Sequence, residues 1–283
     1  MKLEKIYFWP QWFAESLSSS KRLPINSTLI SKLGRANLYL WRALNIYDDF
    51  LDGAGQRAKL PQANNYYRRY LEIYYRLNLD PSFYRLFNRV MIGLDTANRQ
   101  ETLKNHLKIT AGKINLSKRL PRFNKFSNLA KKSLALGLGA IAILYILKRP
   151  RKKLEIEATL NFFRYALAAK QLSDDSRDWF EDLTDGRITA ANVLVLRAAK
   201  RRRLKLDLNH QPEIAHLLFA IDAAAKICRD LKKLCQQAKI YGTKINLDPD
   251  SRLITEIIGP LETGLVETTQ FNSYWAKDPK KML

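Results

Sequence analysis

The sequence predicts an all-α fold, a single bundle of about ten long antiparallel helices around a central apolar cavity. Three observations carry this expectation. Apolar residues recur at helical spacing through almost every segment, and no stretch sustains the alternation of a strand. Pro24, Gly53, Gly55, Pro61, Pro81, Pro121, Pro150, Gly186, Pro212, Gly242 and Pro249 fall at the breaks between periodic segments. The 283 residues are 46% hydrophobic, ample for a sizeable core, and no repeat or Gly/Ser/Pro-rich linker divides them, so 1–283 is expected to form one domain.

The elements follow in order from these breaks. Helix 9–18 ends before Pro24, and 26–51 stops at Gly53 and Gly55. Helix 63–78 follows Pro61, 81–96 opens on Pro81, and 98–108 continues the period. Helix 124–148 lies between Pro121 and Pro150 and holds the longest apolar run, Leu134 to Leu147, which is 14 residues and too short to span a bilayer. Helix 153–184 ends before Gly186, 189–203 follows it, and 211–241 runs from Pro212 to Gly242. The last helix, 250–276, follows Pro249 and is expected to kink at Gly259-Pro260.

Charge narrows the partners. Forty-nine Lys plus Arg against 27 Asp plus Glu give a formal charge of +22, a field that attracts polyanions. The cations cluster at Lys118, Arg119, Arg122, Lys125, Lys131 and Lys132, at 148–153, and at 200–205, which suits an anionic membrane surface. No zinc-finger or RNA-recognition signature accompanies them, so nucleic acid is not an expected partner. Cys228 and Cys235 are seven apart on one predicted helix, about 10 Å by helical rise and beyond disulfide reach, as in a reduced cytosolic protein. His106, His210 and His216 lack metal-ligand spacing, there is no Ser-His-Asp or Cys-His arrangement, and Met1 to Pro10 does not read as a signal peptide.

Against this basic background stand two aspartate-rich segments, Asp48-Asp49-Phe50-Leu51-Asp52 and Asp174-Asp175-Ser176-Arg177-Asp178 with Glu181-Asp182, 126 positions apart. On a helix Asp48 and Asp52 share one face, and Asp174, Asp178 and Asp182 recur at i, i+4 and i+8, a stripe about 12 Å long. Like charges so placed oppose the helix unless cations sit between them. Magnesium, a hard octahedral ion that completes its shell with phosphate oxygens, suits such carboxylates. Apolar residues crowd both runs: Trp41, Leu44, Phe50 and Leu51 at the first, Phe162, Phe163 and Leu172 before the second. A diphosphate head with a hydrocarbon tail fits that division, held by metal at the mouth and by aromatic and aliphatic side chains below.

With these residues in view, the chain resembles the class I isoprenoid synthase superfamily over roughly residues 26 to 190. Asp48, Asp49 and Asp52 resemble the first DDxxD motif. Gln171-Leu172-Ser173-Asp174-Asp175 is similar to the second motif of trans-prenyl diphosphate synthases, and Gly186-Arg187 to the Gly-Lys pair after it. The resemblance implies that Asp48, Asp49, Asp52, Asp174 and Asp178 are catalytic and that these five with Asp175 and Asp182 hold three Mg2+ ions around a bound diphosphate. It also implies that Arg57, Lys132, Gln171, Arg187 and Lys277 bind that diphosphate. Ala58 stands where the family carries a second clamping arginine. Ala43, a small residue before the first motif, implies room for a long product.

The expected activity is condensation of allylic diphosphates with isopentenyl diphosphate, as in a polyprenyl diphosphate synthase. Three alternatives stay open. The segment from Arg177-Asp178 to Gly186-Arg187-Ile188 is also similar to squalene and phytoene synthases, which condense head to head. The Asp174, Asp178, Asp182 spacing is also similar to the metal triad of terpene cyclases. Ala58 and the high charge suit an inactive protein that binds lipid diphosphates or membranes. The expected partners are isoprenoid diphosphates and an anionic membrane surface, a homodimer is compatible with the reading, and the expected location is the cytoplasm, including the inner membrane face.

Overall fold

The computed structural model describes residues 3–18, 26–51, 53–117, 119–123, 127–147 and 152–265. Asp52, Lys277, Lys118, Lys125 and residues 148–151 lie outside them. The described chain is all-α, as the periodicity predicts, apart from one two-stranded hairpin. It clusters into two compact units: the described residues within 1–94, 133–164 and 238–257 form the first, and those within 95–132, 165–237 and 258–265 the second. Among the described residues no helix is long and apolar enough to cross a membrane.

In the first unit, α1 (Leu3–Ser18) packs against α2 (Ser27–Leu51), which packs in turn against α3 (Leu60–Tyr75). The buried face of α2 is Leu33, Gly34, Ala36, Asn37, Leu40 and Ala43, spaced three and four apart as one helical stripe requires. Two small residues let the backbones approach. A Cβ on Gly34 would lie 2.5 Å from the carbonyl oxygen of Tyr7, so only glycine fits that crossing. Asn37, fully buried beside it, donates to the Ile6 carbonyl at 3.3 Å. α4 (Pro81–Lys104) contributes Phe83 and Phe87, whose rings pack on Tyr70 and Tyr74 with centroids 5.1 to 5.9 Å apart. That cluster is worth its buried area plus about 0.5–1.5 kcal/mol per ring pair.

In the second unit two short strands, β1 (Lys108–Thr110) and β2 (Lys113–Asn115), pair antiparallel with Ile109 opposite Ile114. Their turn residues Ala111 and Gly112 have φ of 49° and 76°, as a two-residue hairpin turn demands. The expected helix over 98–108 is therefore corrected: α4 runs unbroken to Lys104 and the chain then turns into the hairpin. Next come α5 (Ser127–Ala130) and α6 (Leu138–Ile146). A tighter turn, Leu134–Gly137, separates these helices, so 124–148 is not one helix. The run Leu134–Tyr145 is buried on all sides, and α6 belongs to the first unit.

α7 (Lys152–Arg177) and α8 (Trp179–Thr184) replace the single predicted helix 153–184. α9 (Asn192–Arg202) follows, and α10 (Gln211–Ala220) and α11 (Ala223–Lys244) replace 211–241, the break falling at Asp222, whose φ is 54°. Val193, Leu196, Ile214, Leu217, Leu218 and Ile114 are buried together as the core of the second unit. α12 (Arg252–Ile257) ends at a turn on Ile258, two residues before Pro260, close to where a kink was expected.

One substitution made at two glycines separates packing from propensity. Gly34→Ala drives a methyl into the Tyr7 carbonyl and is expected to destabilise by about 1–3 kcal/mol. Gly93→Ala, inside α4 with nothing within 4 Å of the new Cβ, is expected to stabilise by about 0.4–1 kcal/mol. Urea denaturation of the two variants checks the opposite signs.

Candidate active site

The first acidic segment ends α2. Asp48 is half-buried and Asp49 exposed in the last turn, where the carbonyl end of the helix disfavours negative charge by about 0.3–1 kcal/mol per group. No basic residue occupies that turn. Gly53, at φ 78°, reverses the chain, and Gly55 passes so close to Phe50 that a Cβ would lie 2.4 Å from its backbone nitrogen. The tight turn Arg57–Lys59 comes next, with Arg57 and Ala58 exposed. Phe50 and Leu51, which crowd the acids in sequence, are 38% and 44% exposed. Below them Tyr47 donates to Asn64 Oδ1 at 2.6 Å, fixing the end of α2 to α3, and Ala43 is fully buried.

The second segment is organised by a break. α7 stops at Arg177, and Asp178, at φ −98° and ψ 12°, precedes α8. The expected continuous stripe of Asp174, Asp178 and Asp182 is therefore corrected. Asp174 remains on α7, Asp178 is exposed at the bend, and Asp182 turns inward on α8. Lys170 and Arg177 each bind one oxygen of Asp174. Asp182 and Asp185 both pair with Arg187 at 3.0 Å.

Asp175 ties the end of α7 to the chain leading into α9. It is 6% exposed and accepts from Gln171 Nε2 at 2.7 Å and from the Ala190 backbone N–H at 3.0 Å. Burial pushes its carboxyl up to about 7; the Gln171 and Ala190 hydrogen bonds oppose the rise, and the nearby acids Asp182 and Glu101 add to it. Asn192, fully buried, donates to the Arg187 carbonyl at 2.8 Å and accepts from the Thr189 N–H at 2.9 Å. The hairpin side completes the clamp, with Leu107 N–H donating to Gly186 O and Ile188 N–H to Asn105 O, both at 2.7 Å.

A cavity of about 450 Å³ opens beside this network, within the usual range of small-molecule sites. Its wall brings together Lys132, Gln171 and Asp175 with Glu101, Arg119 and Arg122. Lys132 pairs with Glu101 at 2.6 Å. Asp174, Asp178 and Arg187 are not in that wall. Sequence reasoning passed over Lys170, Arg177, Glu101 and Asn192. The first two were legible, standing four before and three after Asp174, the spacing of helical ion pairs. Glu101 and Asn192 carried no local signal.

Among the described residues no three His, Cys, Asp or Glu side chains stand together as a metal cage. The donor chemistry of the acidic segments nonetheless fits a hard divalent ion at Asp48, Asp49 and Asp178, which are at least partly exposed oxygen donors. Asp174 fits in exchange for Lys170 and Arg177. Asp175 and Asp182 already spend their oxygens on the fold.

Asp175 makes stability depend on pH in a stated direction. Its folded pKa is raised from 3.8 to about 7, so the folded chain holds a proton that the unfolded chain has lost. Stability therefore falls as pH rises through that window. Asp175→Asn keeps an acceptor for Ala190 without the charge. It is expected to be more stable than the parent by about 1–3 kcal/mol near pH 8 and close to it near pH 4. Denaturant titrations at both pH values check this.

No protein-family model matches the chain, and no curated protein matches it in sequence. Solved structures do match. A polyprenyl synthase from Caulobacter crescentus CB15, complexed with calcium and isoprenyl diphosphate, superposes with a TM-score of 0.64 at 13% identity, over 90% of this chain and 84% of that one. A geranylgeranyl pyrophosphate synthetase from the archaeon Geoglobus acetivorans gives 0.65 at 15% identity, over 91% and 84%. The chain shares the all-α fold of these two synthases.

Proposed function

We propose that the chain is a divalent-cation-dependent prenyltransferase that elongates an allylic diphosphate with isopentenyl diphosphate. The observation that carries the reading is the pair Asp48 and Asp49 in a helix C-terminal turn that contains no basic residue, on a fold shared with two diphosphate-handling synthases. Carboxylates are held there against the helix dipole, in a chain otherwise rich in cations. The calcium and isoprenyl diphosphate bound by the Caulobacter crescentus CB15 protein support a metal-bridged head group.

By the family resemblance, Mg2+ would be held by the acids of each segment, Asp48, Asp49 and Asp52 in the first and Asp174 and Asp178 in the second, and it would supply neutralisation of the departing diphosphate. Lys132, kept in the cavity wall by Glu101, presents a cation to diphosphate oxygens. Arg57 and Arg187 add further cations, the latter oriented by Asp182 and Asp185. Gln171 spends one amide hydrogen on Asp175 and keeps its remaining hydrogen-bonding capacity for the cavity. Such donors act on charge as it develops on the leaving group, the effect that dominates this type of chemistry. The allylic cation then meets the double bond of the second substrate, and no side-chain nucleophile is required. Asp175 sets the position of the wall without touching substrate.

A second reading, binding of lipid diphosphates without turnover, is favoured by the cations already seated on Asp174 and by Ala58. Incubation of the full chain with Mg2+, isopentenyl diphosphate and allylic diphosphates, followed by mass spectrometry, separates the readings. Elongated diphosphates are expected. A head-to-head or cyclic hydrocarbon moves the chain to another branch, and binding without any product selects the second reading. Asp48→Ala and Asp178→Ala are each expected to lower kcat by about a hundredfold or more with helicity unchanged; unaltered rates would reject these acids as ligands.

A further inference from the structure

The second unit carries a larger cavity, about 1370 Å³, whose walls come from three stretches of chain. Arg119 and Arg122 stand in the segment after the hairpin, Arg197, Lys200 and Arg201 on α9, and Lys226 on α11. Leu120, Leu194, Ile221 and Ala223 form the apolar part of the lining; the three larger ones are half-buried and Ala223 is buried. Among the described residues no acid lines this cavity.

The convergence exceeds what helix chemistry asks for. The dipole favours Lys200 and Arg201 in the last turn of α9, but it has no bearing on Arg119, Arg122 or Lys226, which come from other elements. Two of the cations are answered locally: Lys226 pairs with Asp230 at 2.8 Å, and Lys200 donates to the Ser117 carbonyl at 2.9 Å. Arg197 donates to the Pro121 carbonyl at 2.5 Å, which fixes the guanidinium at the wall. Burial lowers its pKa from the usual arginine value, and the neighbouring Arg122 and Arg201 lower it further. The arginines thus repel one another at a wall where no described lining residue is acidic, a cost that a bound anion relieves.

The occupant has two chemical requirements. Arginine forks pair bidentately with phosphate, so the head is a phosphate or diphosphate. The apolar lining and a volume above the roughly 300–1,000 Å³ of drug-sized pockets call for a chain attached to that head. We propose that this cavity is a binding site for a phosphate-headed amphiphile; it adjoins the 450 Å³ cavity beside Asp175, with which it shares Arg119, Leu120 and Arg122, and differs from it in the cations of α9 and α11. The assignment does not rest on prenyl transfer, because Arg201 lies outside the proposed metal and diphosphate set.

Calorimetric titration of the full chain with dioctanoyl phosphatidic acid and with inorganic pyrophosphate tests the site, and sedimentation with phosphatidylcholine vesicles, with and without phosphatidic acid, tests the source of the ligand. The amphiphile is expected to bind about tenfold or more tightly than pyrophosphate. Arg201→Glu is expected to weaken it by about tenfold, while Arg89→Glu, the same charge change at an exposed position in the first unit, weakens it by less than about twofold. Uptake of the short-chain lipid with no vesicle binding identifies a monomeric ligand; phosphatidic-acid-dependent sedimentation lost in Arg201→Glu identifies a bilayer headgroup. Equal binding of pyrophosphate and lipid, equal losses in the two variants, or competition by a short RNA at equal phosphate concentration overturns the proposal.

Discussion

Acids are the scarce group in this chain, and their placement governs the rest of the structure. With 27 carboxylates for 49 strong cations, each acid that takes a local partner leaves other cations to solvent or ligand. Asp174 is shared by Lys170 and Arg177, and Arg187 draws on both Asp182 and Asp185. The region around the second aspartate segment is therefore nearly self-neutralised. The cavity between Arg122, Arg197 and Arg201 is not, and the charge excess that appears in composition as a diffuse field is there concentrated in one place.

The buried Asp175 carries a different load. A buried carboxylate with no partners costs several kcal/mol, so its two hydrogen bonds are conditions of its burial rather than additions to it. One reaches back along α7 to Gln171 and the other forward to the backbone at Ala190, which links the helix end to the segment that opens α9. Asn192 and the hairpin contacts at Gly186 and Ile188 hold the same segment from the other side. The cavity wall is thereby fixed by backbone bonds that no side-chain periodicity encodes.

That distinction explains what was legible. The long helices α2 and α7 and the apolar run in α6 were readable because each repeats its pattern over several turns. The hairpin was not, since three residues per strand are too few to establish alternation, and its turn places Ala111, a residue without special tolerance for positive φ, at 49°. The breaks at Asp178 and Asp222 were hidden because neither is a proline or glycine, although aspartate tolerates the left-handed conformation that Asp222 adopts. The acids themselves were plain in the sequence. What could not be read was which of them turn inward, because Asp175 and Asp178 are three apart in a run where a single bend decides burial.

Exposure now separates the acids of the second segment by the strength of what holds them. Asp174 is 31% exposed, Lys170 30% and Arg177 68%, so these are partly solvated pairs worth about 0–1 kcal/mol each, and a divalent cation with a diphosphate can displace them at small cost. Asp182 and Arg187 are 13% and 19% exposed, and separating such a pair leaves a charge without water, costing about 3–5 kcal/mol. The pairs on Asp174 are thus the more readily exchanged, whereas Asp182 holds the Arg187 guanidinium in one position. On the proposed reading, metal binding in this segment would fall to Asp174 and Asp178, with the inward Asp175 and Asp182 fixing the local backbone around them.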